Sequence, residues 1–299
     1  MNSSAEHEKL DPCLPLPALF TPMRFATGIL ALLTTALGLW MFFGLNLQAG
    51  TKYPCEHAFY HGIDSPILAV ELASSGEHLQ RALNPACSDQ VRPESPDYQQ
   101  ELTALQFKAA SAIHRDTVAD CFLIPLYASF IWFFASMFTV GQQGSLGWLR
   151  RVLTVVVPLT ALADYVEDLG IFRALADGIS DTIAQQISWP SRFKWTVLGL
   201  ALLITAITLI LSANALYSIA TRRLFSIGYM ASGGLIIAGV WRPPLIELGM
   251  KMFSMIVLFQ IIGLLGPYVS RWLKPHPPTY EEDFCERKKA AHVDVAVHT

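Results

Sequence analysis

The sequence predicts an all-α polytopic membrane protein of about six transmembrane helices, with a small disulfide-bearing extracytoplasmic loop domain. Composition, hydropathy and segment length support this prediction. Hydrophobic residues make up 53% of the 299 residues and charged residues only 15%, and the mean hydropathy is +0.39. A soluble domain of this length exposes more charge. The chain also contains several apolar runs of about 20 residues, the length that a transmembrane helix needs.

Six apolar segments meet this length requirement. The predicted spans are Phe25–Leu45, Val118–Val140, Trp148–Phe172, Phe193–Ala213, Leu224–Trp241 and Leu245–Val269. The last two are joined only by the short "WRPP" connection, so five spans and a re-entrant hairpin are an alternative. The first segment is too long for a signal-peptide core and lacks a good small-residue cleavage site near Ala49, so we expect an uncleaved signal anchor.

The distribution of Lys and Arg predicts the orientation, because cytoplasmic span ends carry an excess of positive residues. The pairs Arg150–Arg151 and Arg222–Arg223 place both termini in the cytoplasm. The predicted organisation is a cytoplasmic segment 1–24, a first span 25–45, an extracytoplasmic loop domain 46–117, spans two to six within 118–273, and a disordered cytoplasmic tail 274–299. The tail combines prolines and mixed charges without apolar periodicity.

The predicted outer loop contains two cysteines, Cys55 and Cys87. An oxidising compartment favours disulfides, and this loop has little apolar core of its own, so we expect the two to be bridged. The other three, Cys13, Cys121 and Cys285, fall in the cytoplasm or in a span and are expected to stay reduced. Towards the end of the loop, Leu102, Leu105, Ala109 and Ile113 recur at helical spacing, which predicts that the second span begins above the membrane.

The third predicted span carries an unusual set of charges. Asp164, Glu167 and Asp168 occur within five residues of "PLTALADYVEDLGIF". Residues three and four apart share one face of a helix, so these carboxylates form an acidic stripe. In the predicted orientation the stripe lies one to two turns below the outer surface.

Other spans place polar groups at the same depth. Asp120 and Tyr127 share a face of the second span, Lys194 begins the fourth, and Glu247 and Lys251 form an i, i+4 pair in the sixth. Charged side chains in the membrane face the bundle interior or an aqueous space. We therefore expect an outward-facing acidic cavity. Its predicted lining is Asp120, Tyr127, Asp164, Glu167, Asp168 and Lys194, with Glu247 and Lys251 as a further wall.

Several ligands are compatible with this lining. Asp120, Asp164, Glu167 and Asp168 offer oxygen atoms, which suit a divalent cation such as Mg²⁺ or Ca²⁺. Zinc or a haem would favour histidine, and no histidine lies in a predicted span. Alternatively, Arg192 and Lys194 neutralise the stripe and leave a site for a zwitterion or lipid headgroup, or the crowded carboxylates transfer protons. A final alternative is a buried salt-bridge network that only fixes helix register.

The predicted partners are membrane lipids and a second copy of the chain. In the fifth span, Gly228 and Ser232, followed by Gly234 and Ala238, allow close helix approach within the monomer or a homo-oligomer. The net charge of −3 and the absence of a basic patch argue against nucleic acid.

Part of the chain resembles a known group of proteins. Asp120 with Tyr127, then "ADYVEDL", then "SRFKW" are similar to a pattern in bacterial inner-membrane proteins whose third span more often reads Ala-Asp-x-x-Glu-Asn. The resemblance covers Asp120 to Trp195. It implies a bacterial inner-membrane location and marks these residues as a site, but the group has no established activity. Asp168 stands where Asn is usual, which adds a charge.

Three functions remain open from the sequence. The first is a protein that binds or conducts a cation, a cationic small molecule or a lipid headgroup at the acidic site. The second is an integral membrane enzyme acting on a lipid or isoprenoid at the outer leaflet. The third is a structural or sensory subunit. The sequence contains no phosphate-binding glycine loop, nucleophile elbow or dinucleotide fingerprint that would favour an enzyme.

Overall fold

The computed structural model describes residues 20–48, 65–83, 98–139, 142–212 and 218–273. The regular structure in these ranges is entirely helical, and six of the helices are long. In chain order they are α1 (Phe20–Gln48), α2 (Pro66–Glu71), α3 (Gly76–Leu83), α4 (Tyr98–Thr139), α5 (Ser145–Asp177), α6 (Asp181–Leu211), α7 (Ile219–Gly239) and α8 (Pro244–Leu273).

The six long helices form a closed bundle in chain order. Helix α4 packs on α1 and α5, α6 packs on α5 and α7, and α8 packs on α7 and returns to α1. The short helices α2 and α3 lie against α4, α5 and α6. We call the end of the bundle at the α5–α6 connection the α5–α6 end, and the opposite end the α4–α5 end.

Four helices are long and apolar enough to cross a membrane, within the part of the chain that the structure describes. They are Gln106–Thr139, Ser145–Asp177, Asp181–Leu211 and Pro244–Leu265. The prediction of an all-α membrane fold is confirmed to this extent, and the number of six spans is not. Helix α7 falls short because Arg222 and Arg223 lie among its first five residues and lower its hydropathy, and the described apolar part of α1, Pro22–Leu37, is short.

The second predicted span begins well before its apolar part, as the sequence indicated. Helix α4 starts at Tyr98 and continues without interruption to Thr139. Ala109 and Ile113, two of the periodic apolar residues, are buried on one face. The same extension occurs in α5 and α6, whose polar ends also reach beyond the predicted span boundaries.

The connection between α5 and α6 is short and tightly defined. Gly178 has a φ of 97°, a left-handed conformation that favours glycine. Ser180 then caps α6 by accepting a hydrogen bond from the Ile183 backbone N–H at 3.2 Å. Asp181 Oδ1 accepts a hydrogen bond from the Gly76 backbone N–H at 2.6 Å. This bond fixes the start of α3 to the α5–α6 end.

Helix α7 approaches both of its neighbours through small residues. A Cβ atom on Gly233 would lie 2.7 Å from the Gly199 carbonyl oxygen of α6, and one on Gly228 would lie 2.7 Å from Ile256 Cδ1 of α8. Ser232 donates a hydrogen bond to the Gly249 carbonyl of α8 at 2.7 Å. The predicted close approach at Gly228 and Ser232 is therefore confirmed, within the monomer. Gly234 faces open space.

Some predictions concern residues outside the described ranges. Cys55 and Cys87, Cys13 and Cys285, and the tail 274–299 lie there, so the disulfide, the thiols of Cys13 and Cys285 and the disordered tail stay predictions. Cys121 lies in α4 and is a free cysteine, as expected.

Candidate functional site

The acidic stripe of α5 points into the bundle. Asp164, Glu167 and Asp168 are buried, whereas Tyr165 and Leu169 on the same turns are exposed. The stripe follows directly from helix geometry, because these three residues share one face and their neighbours face the membrane. The exposed neighbours on α5, such as Leu162, Val166 and Leu169, are apolar, as expected for a surface that contacts lipid.

Lys194 of α6 lies at the centre of these carboxylates. Its Nζ donates a hydrogen bond to Glu167 Oε1 at 2.9 Å and forms ion pairs with Asp164 Oδ1 at 2.8 Å and Glu71 Oε2 at 3.2 Å. Its side chain is only 4% exposed. Trp195 provides a further contact, since the ammonium lies 4.6 Å from the centroid of its ring, a distance at which a cation is attracted to an indole.

Helix α4 supplies the wall opposite Lys194. The Tyr127 hydroxyl donates a hydrogen bond to Asp164 Oδ2 at 2.7 Å, and the Cys121 thiol donates one to Asp168 Oδ2 at 3.3 Å. Asp120 is half-buried and lies near enough to Asp164, Asp168 and Lys194 to interact with them electrostatically. We refer to Glu71, Asp120, Tyr127, Asp164, Glu167, Asp168 and Lys194 together as the Lys194 cluster.

Glu71 is a member of the cluster that the sequence analysis did not identify. It is the last residue of α2 and is 4% exposed. Besides its contact with Lys194, its Oε2 accepts a hydrogen bond from Trp195 Nε1 at 3.0 Å. A signal was present in the sequence, because "PILAVELA" is an apolar run interrupted by a single carboxylate. Such a charge needs a buried partner.

The environment of Glu71 disfavours its ionised form. Burial raises the pKa of the Glu71 carboxyl, and the neighbouring Lys194 ammonium offsets only part of this effect. Glu71 therefore holds its proton at higher pH than an exposed glutamate.

Two of the predicted lining residues lie elsewhere. Glu247 Oε1 accepts a hydrogen bond from the Ser65 backbone N–H at 2.7 Å, so it anchors the segment before α2. Lys251 is exposed on α8. Among the described residues, neither is in contact with Lys194. The structure thus brings together six of the eight predicted residues and adds Glu71.

The cluster lies well below the α5–α6 end. Lys194 is thirteen positions beyond Asp181, the first residue of α6, which corresponds to about 20 Å along a helix. The polar first half of α6 and helix α3 lie above the cluster, and the apolar run of α6 begins with Trp195. The cluster is therefore placed at the boundary between the apolar bundle and its polar end.

The cluster contains more acids than bases. Five carboxyl groups lie around one ammonium, and Glu167 Oε2 receives no hydrogen bond from any described residue. Buried charges that are not neutralised cost several kcal/mol each. The arrangement can therefore hold a further positive charge.

A bound divalent metal gains no support from the geometry. Within the described ranges, no three His, Cys, Asp or Glu side chains are grouped so that they could hold a metal ion. The Lys194 ammonium instead occupies the space between Glu71, Asp164 and Glu167. The Mg²⁺ or Ca²⁺ site at Asp120, Asp164, Glu167 and Asp168 stays a prediction.

The chain was compared with protein-family models, with curated proteins and with solved structures, and it matches none of them.

Proposed function

We propose that this chain is a multi-pass membrane protein whose Lys194 cluster binds a cation that reaches it from the extracytoplasmic side. All six long helices cross the membrane in this proposal, both termini are cytoplasmic, and the loop before α4 is a small domain closed by a Cys55–Cys87 disulfide. The resemblance of Asp120–Trp195 to bacterial inner-membrane proteins is consistent with this location.

One observation carries the proposal. The Lys194 ammonium of α6 contacts three buried carboxylates on two other helices, Glu71 on α2 and Asp164 and Glu167 on α5, and further acidic groups lie beside them. A single ammonium cannot neutralise this set. Because uncompensated charge in a membrane interior is unfavourable, the surplus favours uptake of a proton, a metal cation or an organic ammonium.

The proposal is tested by cation-dependent stability. Purified protein is unfolded thermally in choline chloride and in sodium, potassium, magnesium and calcium chlorides at equal ionic strength and pH. The Glu167→Gln variant removes a buried carboxylate whose Oε2 lacks a donor. The matched control is Glu77→Gln, because Glu77 is exposed on α3 and pairs with the exposed Arg81.

We expect at least one cation to raise the melting temperature of the wild type and of Glu77→Gln, and to have a smaller effect on Glu167→Gln. Native mass spectrometry of the same samples then identifies a retained metal or organic cation. Equal melting temperatures in all five salts, together with an apo mass, would reject binding of these cations.

A second candidate is a structural role. Its support is that Lys194 and its partners tie α2, α4, α5 and α6 together through contacts of 2.7 to 3.2 Å. In this case Glu167→Gln lowers stability equally in every salt. A cation that raises the melting temperature of the wild type more than that of Glu167→Gln would contradict a purely structural role.

A further inference from the structure

On the α4–α5 side of the cluster, the side chains that fill the bundle interior are aromatic and no longer charged. Helix α4 continues from Tyr127 with Phe130, Phe134 and Phe138, which lie at helical spacing on its inward face. Each of these three rings is at most 2% exposed. Phe134 is seven residues beyond Tyr127, or about 10 Å further along the helix. A layer of aromatic rings therefore follows directly on the acidic layer.

Aromatic rings from the opposite side of the bundle meet this layer. In the closed ring of helices, two helices separate α4 from α7 in either direction. Tyr229 of α7 nevertheless places its ring centroid 6.0 Å from that of Phe134 and 6.1 Å from that of Phe253 on α8. The contact between Phe134 and Tyr229 thus crosses the bundle interior.

The Tyr229 ring is held in place by a buried hydrogen bond. Its hydroxyl donates to Gln260 Oε1 at 2.8 Å, and both residues are at most 1% exposed. Gln260 Nε2 has no hydrogen-bond partner among the described residues. Along α4, Phe130 lies between Tyr127 of the Lys194 cluster and Phe134, the ring that meets Tyr229.

We propose that Phe134, Tyr229 and Phe253 form an aromatic seal on the α4–α5 side of the Lys194 cluster, so that a cation bound at the cluster exchanges with one side of the membrane only. This inference rests on the proposed function and specifies it as one-sided binding, without conduction. The physical basis is that a narrow passage lined by apolar rings excludes water, and water is needed to carry an ion or a proton.

Proton flux through reconstituted protein tests the seal. Liposomes contain a trapped pH-sensitive dye, and a potassium gradient with valinomycin drives protons inward. The test variant is Phe134→Ala/Tyr229→Ala, which removes two of the three rings. Two controls accompany it: Phe122→Ala makes the same change on an outward-facing residue of α4, and Tyr229→Phe keeps the ring but removes the hydroxyl.

We expect the wild type and both controls to match protein-free liposomes, and the double variant to conduct about tenfold faster or more. Size-exclusion chromatography and thermal unfolding show which variants are folded. Flux through the wild type above the protein-free rate would overturn the seal, and so would a folded double variant that conducts no faster than the wild type. A sealed wild type without cation-dependent stabilisation would reject the proposed function and leave the seal standing.

Discussion

Lys194 is the residue on which the cluster depends, because its ammonium contacts three buried carboxylates at once. Buried ion pairs add little net stability when complete, but the loss of one partner is costly because the other charges stay buried. Lys194 also anchors α6 to α2 and α5. The contribution of Lys194 to the free energy of unfolding is therefore measured better by substituting it than by counting its contacts.

We predict that Lys194→Met destabilises the folded protein by about 3–5 kcal/mol, because it leaves buried carboxylates without their cation. Lys251→Met is the matched control and should change stability little, since Lys251 is exposed on α8. Equilibrium unfolding in detergent measures both. Equal effects of the two substitutions would contradict the central position of Lys194.

Glu71 allows a test that separates hydrogen bonding from charge. Glu71→Gln keeps a carbonyl oxygen that can accept from Trp195 Nε1, whereas Glu71→Ala leaves that buried N–H unpaired. We predict that the alanine variant is less stable than the glutamine variant by about 1–3 kcal/mol, the cost of an unsatisfied buried group. Thermal unfolding of both, beside Glu77→Ala as an exposed control, gives the comparison; indistinguishable Gln and Ala variants would argue against the bond.

The sequence predicted six members of the cluster and missed Glu71, because a sequence pattern describes one helix and not how helices are rotated against each other. Helical spacing gives the face and the depth of a side chain along its own helix, so Asp164, Glu167 and Asp168 could be grouped. It does not give the rotation of one helix relative to another, and for this reason Glu247 and Lys251 were assigned to a site that they do not join. Glu71 was missed because the apolar run around it indicates a buried carboxylate but does not show that this six-residue helix packs against Lys194.

At the scale of elements, the apolar runs located the long helices but not their ends. Helix α4 begins 20 residues before the predicted span, because the polar residues that precede the apolar run continue the same helix. Hydropathy detects the part of a helix that contacts lipid, and capping and packing decide where the helix stops. Helices α2 and α3 were not predicted, since their short lengths give little periodicity.

The packing of α7 against α6 depends on the absence of one side chain. A Cβ atom on Gly233 would meet the Gly199 carbonyl at 2.7 Å, whereas Gly234 faces open space. We predict that Gly233→Ala destabilises by about 1–3 kcal/mol through overpacking. The adjacent control, Gly234→Ala, should be neutral or stabilising by up to about 1 kcal/mol, because alanine favours a helix.

Equilibrium unfolding of the two alanine variants makes this comparison directly. If Gly234→Ala were the more destabilising of the two, the orientation of α7 described above would be wrong. In that case Gly234 and Ala238 would be packed, for example against a second copy of the chain as the sequence analysis allowed.

At the scale of the whole molecule, the distribution of charge predicts which side of the membrane the Lys194 cluster faces. Arg150 and Arg151 lie near the α4–α5 end, and Arg222 and Arg223 lie among the first five residues of α7 at the same end. The acidic cluster and the short helices lie toward the other end. Because positive residues favour the cytoplasmic side, the cluster is expected to be reached from outside.

Thiol labelling tests this orientation. In a chain whose five native cysteines are replaced by serine, Glu77→Cys on α3 and Gln143→Cys between α4 and α5 introduce exposed thiols at opposite ends of the bundle. We predict that a membrane-impermeant maleimide labels Glu77→Cys in intact cells and Gln143→Cys only after permeabilisation. The reverse pattern would place the Lys194 cluster on the cytoplasmic side, and the proposed uptake of a cation from outside would then be wrong even if the cluster binds one.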